Sequence, residues 1–583
     1  MSDMAAASLL QQQSKPPPTD IFPDSAPLIH HARSTSQKKW EDRIVPYHNI
    51  GEILAQREAE SPGKSWLTFY SDQGKASSYT YGEFANATRR TAGFMSGGLD
   101  LKRGDRIATL MTNDPRTVLI YFGAWLLGVT VAPINCGEDD DRVAYIIENS
   151  QAKALFAADS QLNRVDALRN VLPSLPQCIA TGDLERAGYL RFDSEIETAA
   201  PLDPLPQLSP DTECLIVYTS GTTGAPKGVV LEQYNLLADA DSIASWHRFG
   251  PDDRAMCVLP IHHVNGTVVT LITPFYSGGS VVLNSRFRVQ TFWQTLANEK
   301  CTWCSVVPTV LAFLSERGED ISKYDLASFR HIICGAGPLT VEVARRFDEA
   351  FGVRVVHGYG LSETTCYSCF LPIDLSPEQY AHWMFECGFP SIGCPVPANE
   401  MAIQDTNGQP QPPGVRGEIV IRGHNVMKWY YQRPDANRDA FTHGWFRSGD
   451  EGFYRIGEDG LSYYFITGRI KELIIRGGVN YSPFDIDEVL SRAPGVKAAM
   501  AVGFENNFYG EEIGAYVQRI DSSQVTDQEI IAFCLTELPF SKCPKIVVFG
   551  DSFPVTSTGK YQRNKLKPLF AEWKDVQFRD PRT

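Results

Sequence analysis

Apolar positions along the chain switch repeatedly between a helical and a strand period, and this alternation predicts helices laid on sheets. Thr80 and Glu83 form a capping box, and Phe84, Ala87, Thr91, Phe94 and Met95 follow on one helical face. Gly104 opens a β-rich run over 106–111, and the apolar stretch 118–131 predicts a helix buried against a sheet. The acidic run 138–141 has the charge of a calcium loop but lacks its glycine and alternating ligands. Val143, Ile146 and Ile147 follow at helical spacing, so the run reads as an acidic helix N-terminus. Strand-helix alternation continues through 280–283, 332–334 and 353–356, which predicts mainly parallel or mixed sheets. A proline- and glycine-rich stretch, 408–417, precedes a strand-like run over 418–422 that reads as part of a β-rich subdomain.

After Gly468 the pattern changes. A short helix around 486–492, a strand over 497–502 and a helix capped by Thr526 and Glu529 predict a compact α+β unit. Residues 1–40, with Gln11-Gln12-Gln13 and Pro16-Pro17-Pro18, carry no sustained apolar period and read as a disordered tail. The expected organisation is therefore a tail over 1–40, a large α/β region over 41–469 and a small C-terminal domain over 470–583. At 583 residues the chain exceeds what one core usually holds, which agrees with that division.

Composition narrows the function. A net charge of −15 excludes a broad basic footprint for nucleic acid but leaves room for a local anion site. The 13 cysteines are odd in number and scattered, which fits a reducing compartment better than a disulfide framework. Two pairs, Cys301/Cys304 and Cys366/Cys369, have metal-like spacing, but packing of small apolar side chains explains them better. No secretory pattern, apolar run of membrane-spanning length or peroxisomal address is present, so a cytoplasmic protein without a membrane span is expected.

The strand-like Ile216-Val217-Tyr218 runs into Thr219-Ser220-Gly221-Thr222-Thr223-Gly224-Ala225-Pro226-Lys227-Gly228. Three glycines let the backbone approach a ligand, four hydroxyls offer donors, and Lys227 adds a point charge for a polyphosphate. It is not a P-loop, because Lys227 follows proline and precedes glycine. This segment resembles the AMP-binding signature of the adenylate-forming superfamily, which includes acyl-CoA synthetases, adenylation domains of peptide synthetases and firefly-type luciferases. Further segments resemble that family's motifs in order, from about residue 45 to 575. They are Pro260 through Gly266 with His262 and His263, Gly335-Ala336-Gly337-Pro338-Leu339, and His357-Gly358-Tyr359-Gly360-Leu361-Ser362-Glu363-Thr364. After these come Gly417 through Gly423, Ser448-Gly449-Asp450, Gly468-Arg469-Ile470-Lys471-Glu472, and Pro554 through Lys560.

The resemblance implies ATP-dependent activation of a small carboxylic acid as acyl-AMP, with magnesium on Glu363, and then transfer to a thiol. Coenzyme A is the expected acceptor; a carrier protein or an amine is the alternative. Catalytic roles are implied for Lys560, Glu363, His263 and Thr222. The implied nucleotide contacts are Thr219, Ser220, Gly221, Thr222, Thr223, Gly224 and Lys227 in the first loop. Gly335, Ala336, Gly337, His357, Gly358, Tyr359, Gly360, Ser362, Asp450 and Arg469 complete that set. Lys471 stands at the hinge, and Arg476, Gly477 and Gly478 at a CoA contact. Charge logic agrees, since a carboxylate attacking a phosphate requires concentrated positive charge.

The sequence also departs from the family pattern. No aspartate stands in the histidine motif to hold a substrate ammonium, which favours a plain acid. His357 replaces a more usual glutamine, Trp429 a frequent glycine, and Ile475 a lysine found in some relatives. A pocket involving Val264, Asn265, Val307, Thr309, Leu361 and the region 366–369 predicts a moderately apolar acid.

Overall fold

The computed structural model describes residues 25–172, 176–219, 226–554 and 561–580. A large N-terminal α/β region is followed by a small α+β domain. Two sheets dominate the large region among the described residues. One runs through Val355–Tyr359, His331–Cys334, Trp303–Val306, Arg254–Cys257, Ser280–Asn284 and Ser65–Ser71, all parallel, with antiparallel strands at both edges. The other is parallel from Leu190–Arg191 to Glu213–Thr219, then adds Lys227–Glu232 and Trp429–Tyr430 antiparallel. A four-stranded antiparallel sheet, Asn399–Gln404 to Ser462–Arg469, forms the β-rich subdomain.

The apolar stretch expected as one helix over 118–131 is two elements. Helix Pro115–Leu127 stops at Gly128, whose φ of 77° suits glycine, and strand Thr130–Ile134 follows, buried throughout. A hydrophobic run alone does not distinguish a buried helix from a buried strand, and only the glycine marks the break. The capping boxes at Thr80 and Thr526 and the aspartate cap before helix Asp140–Ser150 are all present.

Residues 25–40, expected within a disordered tail, form a packed strap. Helix Ala26–Ala32 buries Ile29 and Ala32. Arg33 is buried, pairs with the buried Glu232, and lies 3.5 Å over the Trp40 ring. Trp40 meets Tyr234 edge-on at 4.8 Å, and Tyr234 bonds His424 at 2.6 Å. Long-range pairing, not a local apolar period, orders this segment.

The C-terminal domain folds Ile474–Arg476, Val479–Tyr481, Val496–Asn506, Gly510–Arg519 and Ile546–Phe549 into one sheet, flanked by helices Pro483–Ser491 and Asp527–Glu537. Strand Ser462–Arg469 enters it through the turn Ile470–Glu472. Polar contacts dock it on the large region, among them the Ser482 hydroxyl donating to the Thr467 carbonyl. Arg416 meets Asp485 at 2.8 Å, Lys497 meets Glu316 at 2.5 Å, and Glu488 accepts the backbone N–H of Val341 at 3.2 Å. Val341 begins helix Val341–Phe351, so Glu488 caps a helix of the other domain.

Burial pushes the Glu488 carboxyl up to about 8, and Asp487 and Glu342 add to the rise, while the Val341 N–H and Arg492 oppose it. The docked state therefore binds this proton more tightly than the undocked one. Docking is strongest while Glu488 is protonated in both states, weakens as pH rises from the ordinary 4.5 toward about 8, and levels off above. Within that window the docked fraction is expected to fall by up to about tenfold per pH unit. Small-angle scattering at graded pH measures this. Glu488→Gln should flatten the dependence, and a slope unchanged in the variant would contradict the assignment.

Candidate active site

The antiparallel pair Glu213–Thr219 and Lys227–Glu232 brings Thr219 opposite Lys227 at the neck of the glycine-rich loop. Ser220, Gly221, Thr222, Thr223 and Gly224 lie outside the described residues, as does Lys560. The edge strand Trp429–Tyr430 pairs beside Lys227–Glu232, which sets the Tyr430 ring under Lys227, with Nζ 4.0 Å from its centroid. The Tyr430 hydroxyl donates to Glu363 Oε1 at 2.7 Å. Glu363 sits on the turn Ser362–Thr364, whose backbone is held by the Met427 N–H on the Glu363 carbonyl at 2.8 Å. Lys227, Tyr430 and Glu363 thus converge from three segments. Burial lowers the Lys227 pKa, Glu363 opposes that shift, and Lys471 and Arg433 reinforce it.

The facing wall is built on the β-rich subdomain. Asp450 is 1% exposed and accepts the Tyr359 hydroxyl at Oδ2, 2.7 Å away. Its strand partner Arg469 brings Nε to 3.2 Å from Oδ1, close enough for an ion pair but not aligned as a hydrogen bond. The Asp450 charge, felt more strongly than the opposing burial, raises the Arg469 pKa. Arg469 also feels Glu363 and Tyr430, so the two walls face one electrostatic space.

Gly335, Ala336 and Gly337 follow strand His331–Cys334, and Gly358, Tyr359 and Gly360 end and follow strand Val355–Tyr359. Two of these glycines are required by close approach. A Cβ at Gly360 would stand 1.8 Å from the Cys366 carbonyl oxygen, and one at Gly335 would stand 2.6 Å from the Tyr367 hydroxyl. His357 is buried, bonds the Ser391 carbonyl at 2.9 Å, and is pushed down to about 4 by burial. Its polar group is therefore engaged inside the protein.

The His262 and His263 rings lie 4.4 Å apart, tilted by 54°. Burial pushes His262 down to about 4, so it is neutral near pH 7. His262 lines a cavity of about 380 Å³ at the carboxyl ends of strands from both large sheets, with Asn113, Val307, Thr309 and Arg286 around it. Crevices at strand carboxyl ends are the usual ligand sites of such sheets.

Lys471 is exposed on the turn between the domains. Arg476, implied at a CoA contact, has its guanidinium engaged inside the C-terminal domain. It is buried, donates to Glu512 at 2.6 Å and lies 4.0 Å over Tyr509, bracing the exposed turn Gly477-Gly478. Alternation along the strand fixes this: Arg476 shares the inward face with Ile474, while Ile475 points out.

Residues 54–431 match the model of the AMP-binding enzyme family, and residues 485–560 match that of the AMP-binding enzyme C-terminal domain. The chain belongs to this family. It is 36% identical over 522 residues to a sulfoacetate–CoA ligase of Cupriavidus necator, covering 89% of this chain and 97% of that one. Identity to an oxalate–CoA ligase of Arabidopsis thaliana is 32%, over 85% and 94% of the two chains. The o-succinylbenzoate CoA synthetase of Bacillus subtilis, solved with its acyl-adenylate, superposes with a TM-score of 0.75 at 28% identity, over 92% of this chain and 99% of that one. ATP-bound MatB from Rhodopseudomonas palustris gives 0.79 over 90% and 99%; at 24% identity that likeness bears on the fold alone.

Tyr430 was visible in the sequence only as a neighbour of Trp429, because its link to Glu363 spans 67 positions. The pairing yields a direct test. Glu363→Gln removes the influence that holds the Lys227 pKa up, so that pKa is expected to fall further. Acylation of Lys227, followed by mass spectrometry against pH, should then begin at lower pH in the variant. An unchanged profile would show that the two groups do not interact.

Proposed function

We propose that the chain activates a small carboxylic acid with ATP, giving acyl-AMP and pyrophosphate, and then passes the acyl group to coenzyme A. The observation that carries this reading is the convergence of Lys227, Glu363 and Tyr430 on a space also faced by Asp450 and Arg469. A carboxylate attacking the α-phosphate must approach an anion, and preorganised cations lower that barrier. Lys227 supplies one charge from the large region and Lys560 a second from the C-terminal domain. Thr219, Thr222 and the remaining loop donors cradle phosphate, and Gly335, Ala336, Gly337, Gly358, Gly360 and Ser362 line the adenine side.

Asp450 suits a ribose, because its buried Oδ1 has no aligned hydrogen bond among the described residues and can accept a hydroxyl. Magnesium fits Glu363. The ion takes few protein ligands beside phosphate oxygens, and a single carboxylate steadied by Tyr430 provides one. When bound there, magnesium neutralises phosphate charge. His263 faces the acid. Lys471 is the hinge about which the C-terminal domain turns between half-reactions, and the turn Gly477-Gly478, braced by Arg476, meets the acceptor. Buried thiols such as Cys301, Cys304 and Cys369 fit a reducing compartment, and we place the reaction in the cytoplasm. No helix among the described residues is long and apolar enough to cross a membrane.

Relatives named for sulfoacetate, oxalate and long-chain fatty acids leave the acid open on kinship alone. The activity is tested by separating its halves. Lys560→Ala should slow pyrophosphate release by about 10²- to 10³-fold while sparing thioester formation from preformed acyl-AMP. Equal losses in both halves would contradict the assignment of Lys560 to the first.

A further inference from the structure

The turn that carries Glu363 continues into a strained bend. Strand Val355–Tyr359 leads into this connection, and Cys369–Phe370 returns antiparallel, with Tyr359 opposite Cys369. Between them Thr365 has φ 62° and ψ −61°, and the Cys366 N–H donates to the Thr364 carbonyl at 2.6 Å. These angles and that bond define a γ-turn of the rare, strained form, which a β-branched side chain disfavours most. The bend carries the Cys366 carbonyl back against Gly360, where a Cβ would stand 1.8 Å from its oxygen.

Such strain persists only where neighbouring contacts over-determine it. The Thr365 hydroxyl donates to the Asn425 carbonyl at 2.6 Å, and both residues are fully buried. Asn425 is held in turn at both ends of its amide. Its Nδ2 donates to Asp239 Oδ1 at 2.8 Å and to the Tyr367 carbonyl at 3.0 Å, while its Oδ1 accepts from Asn399 Nδ2 at 2.6 Å. Asp239 lies on helix Gln233–His247, and its other oxygen accepts the Tyr367 N–H at 3.4 Å. The Asn425 carbonyl is therefore a fixed acceptor, one that cannot follow Thr365 if the turn relaxes.

Asn425 also belongs to the segment that grips Glu363 at two further points. The Met427 N–H holds the Glu363 carbonyl at 2.8 Å, and the Tyr430 hydroxyl holds its Oε1 at 2.7 Å. Those two bonds fix the backbone and the carboxylate of Glu363. The Thr365 bond fixes the direction in which the chain leaves it. Once released, Thr365 would return to a negative φ, turning the Thr364–Thr365 peptide and pulling on the glutamate that precedes it.

Resting on the proposed acid activation with magnesium on Glu363, we propose that Thr365 is a positioning residue for that carboxylate. Its hydroxyl, clamped by Asn425, keeps a γ-turn that the backbone alone would not keep, and so sets where Glu363 meets the ion. Thr365 is fully buried and acts only through Glu363. Losing the hydroxyl alone is then worse than losing the whole side chain. Valine keeps the β-branched strain without the clamp, whereas glycine holds a φ near 62° unaided. The damage falls on the ion's contribution to nucleotide binding and spares the rest of that binding.

Calorimetry with α,β-methylene-ATP, in magnesium or in EDTA, reads that contribution as the ratio of two affinities. Thr365→Val should lower the ratio by about tenfold, an energy within the range of one buried hydrogen bond. Thr365→Gly should lower it less, and Thr365→Ser should restore it. Combined with Glu363→Gln, the valine substitution should lower the ratio no further, since the group it positions is gone. Pyrophosphate release should follow the same order, with the KM for the acid unchanged. If Thr365→Val does not fold, Thr365→Ala, which also keeps a Cβ without the hydroxyl, takes its place beside Thr365→Gly. A ratio unchanged in the hydroxyl-free variant, or lowered more by glycine, would overturn the proposal and leave acid activation intact. Equal losses in magnesium and in EDTA would show a merely structural role and overturn it too. A wild type that binds the analogue no better in magnesium than in EDTA would remove the ion from Glu363 and this inference with it.

Discussion

Placing a cation where two anions must meet, without letting burial neutralise it, is the constraint on which this active site depends. Lys227 is half-buried, and burial favours its uncharged form. Glu363 counters that loss, and Tyr430 holds Glu363 by a hydrogen bond while presenting its ring to Lys227. The arrangement works only if Trp429–Tyr430 stays paired to the sheet edge beside Lys227–Glu232. Much of the surrounding structure serves that pairing. Asn235 bonds the carbonyls of His424 and Val426, the Met427 N–H holds the Glu363 backbone, and Lys428 reaches Glu213 and Glu232. The strap continues the support outward, since Arg33 meets the same Glu232 and Trp40 stacks on His424. Side chains far from Glu363 in sequence are thereby part of the wall that fixes it.

The opposite wall follows the same logic with reversed signs. Asp450 is a buried carboxylate kept company by Arg469 and by the Tyr359 hydroxyl, and its strand pairing with Arg469 places it one step from the inter-domain turn. The cleft and the C-terminal domain therefore share a boundary at Arg469 to Lys471. Docking elsewhere rests on a few polar contacts, among them the Glu488 cap on helix Val341–Phe351. That helix begins just beyond the Gly335–Leu339 loop, so the position of the domain is felt beside the cleft. Contacts of this kind separate more readily than a wide apolar seam.

Legibility in the sequence followed the range of the interactions involved. Capping boxes at Thr80 and Thr526 join residues three apart, and both were readable. Contiguous motifs such as Gly335-Ala336-Gly337 and Ser448-Gly449-Asp450 were readable too, because backbone geometry and chemistry are written in adjacent residues. Arg33 with Glu232, Tyr430 with Glu363, and Tyr367 with Asn265 are separated by 199, 67 and 102 positions, and no local pattern announces them. Arg476 marks an intermediate case. Strand alternation with Ile474 could have placed it inside, whereas the motif resemblance implied a CoA contact.

Formation of a reversible acyl-adenylate before any thiol is involved is the central claim. Exchange of labelled pyrophosphate into ATP, measured without coenzyme A, tests it most directly. With a suitable acid and magnesium, the account predicts exchange that depends on the acid and proceeds without thiol. Exchange that appears only when coenzyme A is added, or nucleotide turnover that yields ADP and phosphate instead, would contradict it.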